Sequence, residues 1–211
     1  PDYSSAASDV YKRQGEDTRV LKVSYAGEKG FEIHVHNNSM KKIYDELVQH
    51  GENFNLIHFG MLALDSMRLE KNYRSWKSDL TSDYTMLQSG LEKWIKFDKG
   101  NFIGKEALKN EFDLGTSKKF VTLVVDDPED NKPFGEPVYL SPVFAGDDYL
   151  GPIVSSGYGH RVKKSISMAI LDDRNLNGLN DQLYIDVLGR KRKAYIVNEA
   201  LYDPENLKLR S

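Results

Sequence analysis

Cysteine is absent from the 211 residues, which excludes disulfides and thiolate metal sites and agrees with a reducing compartment. No apolar run approaches the roughly 18 residues that a membrane-spanning helix needs. There is no excess of positive charge either. Lys and Arg number 29 against 32 Asp and Glu, a net charge of −3, whereas a dedicated nucleic-acid binder shows a strongly basic face. What remains is the composition of a soluble, cytoplasmic protein with neither membrane nor nucleic acid as partner. Its 12 Tyr and 9 Phe suffice for one sizeable core or two small ones.

A starting Met is also missing, and residues 4–14 read SSAASDVYKRQ. They lack the apolar stretch of a signal peptide and the amphipathic pattern of a transit peptide. The string is the in-frame translation of a common transposase sequencing adapter, so residues 1–14 are set apart as a library scar, the alternative being a disordered native leader. On the scar reading the natural protein continues upstream of Gly15, and this chain is its C-terminal end.

Patterning begins at Arg19. Residues 20–25 read as a strand with Leu21, Val23 and Tyr25 on one face, and 31–36 alternate with Phe31, Ile33 and Val35 inward. Gly27 and Gly30 supply the hairpin turn between them. Ser39 is the expected N-cap of a helix carrying Met40, Ile43, Tyr44, Leu47 and Val48, stopped by Gly51. A second helix is expected over 58–71 and a short one after Gly104. Residues 72–90 have no clear period and read as a long ordered loop.

The composition shifts near residues 113–117. Beyond lie six strand candidates, 120–125, 137–140, 153–156, 166–171, 183–188 and 194–197, a spacing that suggests a small barrel or sandwich. The fold class expected is therefore α+β: an α+β domain over 15–114, followed by an all-β domain over 118–208.

Generic signals for chemistry are weak. Glu32, His34 and His36 share one strand face, yet no further His stands at ligand spacing and a solvated polar face is the plainer reading. Gly157-Tyr158-Gly159 opens no helix and its third glycine position is Val162, so a tight turn is expected there. Arg190-Lys191-Arg192-Lys193 reads as a solvated hairpin turn.

Longer motifs say more. Residues 25–32, Y-A-G-E-K-G-F-E, resemble the Y-x-G-E-x-G-x-E hairpin of the aminomethyltransferase, or glycine-cleavage T-protein, family. A-L-D-S-M-R-L-E at 63–70 resembles its L-R-L-E helix, and N-F-I-G-K-E-A-L at 101–108 its F-I-G-[KR]-E-A-L element. R-L-E-K-N-Y-R-S-W-K-S-D-L at 68–80, S-G-Y-G-H at 156–160 and L-Y-D-P-E-N at 201–206 are similar to the folate-binding half of dimethylglycine and sarcosine dehydrogenases. The similarity runs from Arg19 to Arg210.

That resemblance implies a partial folate-binding domain followed by a small all-β barrel. It also implies tetrahydrofolate as the cofactor here and an N-terminal flavin (FAD) domain of the same chain as partner. In such enzymes the flavin oxidises an N-methyl group to an iminium, and folate captures the one-carbon unit as methylenetetrahydrofolate. By motif position Tyr25 and Glu32 would contact the folate. A carboxylate suits the pterin amino and ring N–H edge because it accepts two parallel hydrogen bonds. The alternatives are a core tyrosine and a solvated strand carboxylate. Arg68 is either a cation near the folate or an ion pair with Glu70 or another local acid. Trp76 is either an aromatic face for the ligand or a core anchor for the loop. Leu64 stands where free-standing T-proteins usually carry Arg, which fits the dehydrogenase branch. The family's catalytic Asp belongs upstream of Gly15, so no catalytic residue is expected in this stretch. A stand-alone aminomethyltransferase or demethylase, and a non-catalytic folate-binding module, are the competing readings.

Overall fold

A computed structural model describes residues 8–13, 16–126, 135–173, 176 and 183–210. Residues 1–7 and 14 of the segment set apart above fall outside them. The chain divides into two compact units, Pro1–Arg68 with Asp203–Ser211, and Leu69–Tyr202.

The first unit holds an antiparallel sheet in the order β1-β2-β3, with β1 at Ser8–Arg13, β2 at Glu16–Leu21 and β3 at Glu32–Val35. Residues 8–13, counted by the sequence as non-native, pair with β2 from Ser8 opposite Leu21 to Arg13 opposite Glu16. The strand expected over 20–25 ends early. Leu21 opposite Glu32 is the last pair of β2 with β3, because the chain then bends through 25–29, where Gly27 takes φ 79°. Phe31 and Ile33, expected inward, are 57% and 40% exposed.

Helix α1 spans Asn37–Gly51. Its N-cap is His36, whose ring Nδ1 accepts the Asn38 amide at 3.4 Å, and not Ser39. The imidazole thus occupies the acceptor role that a Ser or Asp side chain usually fills. Helix α2 covers Met61–Glu70, three residues shorter at its start than expected, and α3 covers Lys105–Leu114. The short α4, Leu207–Arg210, is capped by Asp203, whose carboxylate accepts the Leu207 and Lys208 amides at 2.8 and 3.2 Å. Among the described residues no helix is long and apolar enough to cross a membrane.

Within the second unit six antiparallel strands close into a barrel in the order β4-β7-β6-β5-β8-β9. They are β4 Lys118–Val125, β5 Pro142–Ala145, β6 Asp148–Gly159, β7 Lys164–Asp172, β8 Leu183–Val187 and β9 Arg190–Val197. The expected α+β region followed by a small β barrel is what the chain forms. Period-two alternation sorts two cores. Val121, Leu123 and Val125 of β4 and Ala169 and Leu171 of β7 belong to one, while Phe120 of β4 and Ile166, Met168 and Ile170 of β7 belong to the other, with Leu69 and Val154. A strand buried on both faces loses the polar alternation of a half-exposed one, and residues 164–171 of β7 show it, with all but Lys164 buried.

Three strand expectations shift. Residues 137–140 form a turn, not a strand: Leu140 takes φ 68° and the Ser141 amide reaches the Val138 carbonyl at 2.9 Å. Gly157-Tyr158-Gly159 is not a tight turn but the end of β6, opposite Ile166, Ser165 and Lys164 of β7. Arg190–Lys193 lies inside β9, with Asp186 to Ile185 of β8 across from Lys191 and Arg192. The turn is Leu188-Gly189, both at positive φ, 52° and 82°, as a two-residue hairpin with right-handed twist demands. Gly151 sits beside the register shift in the β5–β6 pairing; its φ is 153°, and a Cβ there would lie 2.1 Å from the Ile170 carbonyl oxygen.

Candidate functional site

In the first unit the candidate residues cluster where β2 hands over to β3. The Gly27 amide donates to Ser24 Oγ at 3.1 Å, closing the bend that carries Tyr25, which is half-buried. Seven residues on, Glu32 opens β3 with its side chain 56% exposed, and its Oε2 lies 3.3 Å from His34 Nε2. The alternation expected of this strand therefore holds for the polar face: Glu32 and His34 meet in the open.

Arg68 is placed otherwise. It is 2% exposed, and its Nε donates to Asp65 Oδ1 at 2.7 Å, one helical turn back. Of the two alternatives for Arg68, the structure supplies the ion pair, with Asp65 as the acid. Glu70, the acid considered first, is engaged elsewhere. Its Oε1 accepts the Arg161 amide at 2.7 Å and the Val162 amide at 3.3 Å.

The second unit presents Trp76. The loop that carries it is fixed from beneath by Asp79, which is fully buried. Asp79 Oδ2 accepts the Ser75 amide at 2.6 Å, its Oδ1 accepts the Ser155 hydroxyl of β6, and the Asp79 and Leu80 amides both return to the Ser75 carbonyl. Lys77, at φ 74°, makes the tight corner. The result turns Trp76 outward, 77% exposed, so it is not a core anchor. With Leu80, Tyr84, Met86 and Leu91 it lines a mainly apolar cleft of about 550 Å³. Burial pushes the Tyr84 phenol above its ordinary range, with the nearby Asp83 charge adding to the effect.

Sequence reasoning missed Asp79. A carboxylate in a Ser-rich loop reads as solvated, and only its burial against Ser155, 76 residues away, reveals the anchor. It also missed why three motifs travel together. The L-R-L-E end, the S-G-Y-G-H strand and the L-Y-D-P-E-N ending are one contact. Gly157 faces Leu69, Gly159 faces Glu70, the Tyr202 amide reaches the Glu70 carbonyl at 3.0 Å, and the Arg161 guanidinium lies 4.3 Å over the Tyr202 ring.

Comparison with known proteins gives two family matches in order. Residues 5–99 match the GCVT N-terminal domain, and residues 118–203 match the glycine cleavage T-protein C-terminal barrel domain. An aminomethyltransferase of Pseudothermotoga lettingae is 32% identical over 95% of this chain and 52% of its own length. The mitochondrial dimethylglycine dehydrogenase of Homo sapiens is 30% identical over 86% of this chain and 20% of its own. The fold matches the crystal structure of glycine cleavage system aminomethyltransferase T from Bartonella henselae with a TM-score of 0.78 at 19% identity, covering 97% of this chain and 55% of that one. The chain thus spans about half the length of the aminomethyltransferases it matches.

Proposed function

The chain belongs to the glycine-cleavage T-protein family, whose two domains it carries in order, and we propose that it is the tetrahydrofolate-binding, one-carbon-transfer part of an FAD-dependent N-methylglycine dehydrogenase of the dimethylglycine or sarcosine type. The observation that carries the reading is the β2–β3 connection, where an exposed carboxylate, Glu32, follows a glycine-shaped bend bearing Tyr25. The dehydrogenase stretch 68–80 and Leu64 favour this branch over the free-standing enzymes.

The residues present fit a folate. The pterin edge offers an amino group and a ring N–H side by side, and a carboxylate open to solvent on an exposed strand accepts both. Tetrahydrofolate, when bound, supplies the nitrogen that takes up the one-carbon unit. Glu32 fixes the orientation of the ring, and Tyr25 borders it. On the second unit, exposed Trp76 offers a planar apolar face to an aromatic ligand, with stacking worth about 0.5–1.5 kcal/mol. Arg68 acts through α2, holding the helix by its pair with Asp65. The flavin chemistry, the amine-binding residues and the family's catalytic Asp are assigned to sequence upstream of Gly15, and the protein to the cytoplasm.

Calorimetric titration with tetrahydrofolate tests the site. Glu32→Gln, which turns one acceptor into a donor at constant shape, weakens binding by about 1.5–3 kcal/mol. Equal affinity in the variant overturns the assignment. Sequencing the source DNA upstream of Gly15 tests the branch: a strand followed by G-x-G-x-x-G is the flavin version. A second reading, a stand-alone aminomethyltransferase, draws support from the relatives matched over about half their length. It predicts a start codon within roughly one further domain and no such motif.

A further inference from the structure

Glu32 does not stand alone on its strand. His34, two residues on and on the same face of β3, brings its ring Nε2 to 3.3 Å from Glu32 Oε2. A carboxylate only accepts, so the imidazole is the donor, in the tautomer that carries its proton on Nε2. Both side chains are exposed, and a pair of this kind adds next to nothing to stability. Its consequence is for orientation. A glutamate side chain turns about several torsions, and a carboxylate that must meet two N–H groups at once is useful in few of the resulting poses. A hydrogen bond to Oε2 removes part of that freedom before any ligand arrives. It leaves Oε1 and the second lone pair of Oε2 to the ligand.

The surroundings are simple. The strand packed against β3 is β2, where Arg19 lies directly opposite His34 and Leu21 opposite Glu32. The third polar residue of the face, His36, is turned to α1, where its Nδ1 accepts the Asn38 amide at 3.4 Å. Among the described residues the charged groups facing His34 are therefore Glu32 beside it and Arg19 across the ladder. Arg19 keeps its charge at every relevant pH, so a change of charge at Glu32 between pH 6 and pH 8 has to come from an imidazole.

Building on the folate reading above, we infer that His34 is a positioning residue for the pterin-binding carboxylate. Neutral, it donates to Glu32 Oε2 and holds the remaining acceptor sites ready for the pterin edge. Protonated, it becomes the counter-ion of the same carboxylate. A cation is a stronger partner for those oxygens than the neutral pterin N–H groups. Affinity for tetrahydrofolate therefore falls as pH drops through the range in which an imidazole gains its proton.

Calorimetric titration of the 211-residue chain with tetrahydrofolate at pH 8 and pH 6 tests this. His34→Ala removes the donor and weakens binding about three- to tenfold at pH 8. His34→Gln places an amide N–H close to where Nε2 stands and restores affinity to within about twofold. The unsubstituted chain binds about threefold more weakly at pH 6 than at pH 8, and His34→Gln removes that loss although His36 is intact. In a Glu32→Gln background His34→Ala has no further effect, because it acts through the carboxylate. Thermal melting of each variant separates these effects from folding, which an exposed position hardly influences. If Glu32→Gln weakens binding and His34→Ala does not, the positioning role is overturned and the folate reading stands. The same follows if His34→Gln retains the pH dependence, or if the His34→Ala loss persists beside Glu32→Gln. Glu32→Gln without effect, or no binding of tetrahydrofolate at all, overturns both.

Discussion

The Glu70 carboxylate accepts the Arg161 amide at 2.7 Å across 91 residues of sequence. It also takes the Val162 amide at 3.3 Å, so one buried acid, 4% exposed, holds the turn that links β6 to β7. A charged acceptor for two buried N–H groups is worth more than a neutral one. Replacing Glu70 with Ala leaves both donors without that acceptor, and a loss of about 2–4 kcal/mol in urea unfolding is expected. Glu70→Gln keeps an oxygen in place and loses less than half of that.

Gly159 lies under the same acid. A Cβ there would stand 2.8 Å from Val162 Cγ2 and 2.9 Å from both Glu70 Cγ and Ile166 Cδ1. Gly159→Ala is therefore an overpacking change, costing about 1–3 kcal/mol. At Gly151 the obstacle is the backbone oxygen of Ile170, and φ is 153°. Gly151→Ala costs more, and a drop in the yield of soluble protein at 37 °C checks it.

Arg192 is 3% exposed although it sits in a run of four basic residues. Its Nε donates to the Asp126 carbonyl at 2.9 Å and its Nη1 to the Gly135 carbonyl at 3.2 Å. Arg192→Met keeps the aliphatic stem and strands two carbonyls, at a cost of about 1–3 kcal/mol. Changing exposed Lys193 to Met, by contrast, moves the unfolding midpoint by no more than about 0.5 kcal/mol.

Tyr84 gives a pH signature. Its pKa in the folded chain is raised from 10.0 by burial and then by the Asp83 charge. The neutral phenol is the form the fold prefers, so its contribution to stability is full below pH 10 and is lost as pH climbs through the higher native value. Tyr84→Phe removes that contribution to the alkaline slope. Unfolding midpoints measured from pH 9 to pH 12 decline less steeply for the variant.

Trp76, with its side chain in solvent, contributes little to the core. Trp76→Ala shifts the melting midpoint by less than about 0.5 kcal/mol. The same change weakens tetrahydrofolate binding about two- to tenfold if the exposed ring is a ligand platform, as assigned above. Binding is read by calorimetry, because only Trp94 is left as an indole probe.

Much of this fold was legible in local pattern. The short apolar runs at 120–125 and 166–171, the helical spacing after Ser39, and Gly104 ahead of α3 each report a run, a period or a stop signal that a single element carries within itself. Motif order across the chain pointed to the same family that the two domain matches report. The candidate site was legible to the extent that it lies on one strand: Glu32 and His34 share a face because a strand alternates, whatever surrounds it.

The tertiary structure decided what depends on distant neighbours. Arg190–Lys193 looks like a solvated turn by charge alone. It is a strand because β8 pairs with it, and Arg192 turns inward because two carbonyls from elsewhere in the chain receive its guanidinium. Gly157-Tyr158-Gly159 extends β6 because β7 lies opposite. Glu70, near Arg68 on the same helix, is drawn away from it because the Arg161 and Val162 amides, 91 and 92 residues on, take its carboxylate. Local sequence sets what each residue can do; strand closure and burial, which bring together residues fifty to a hundred positions apart, determine which of those options are realised.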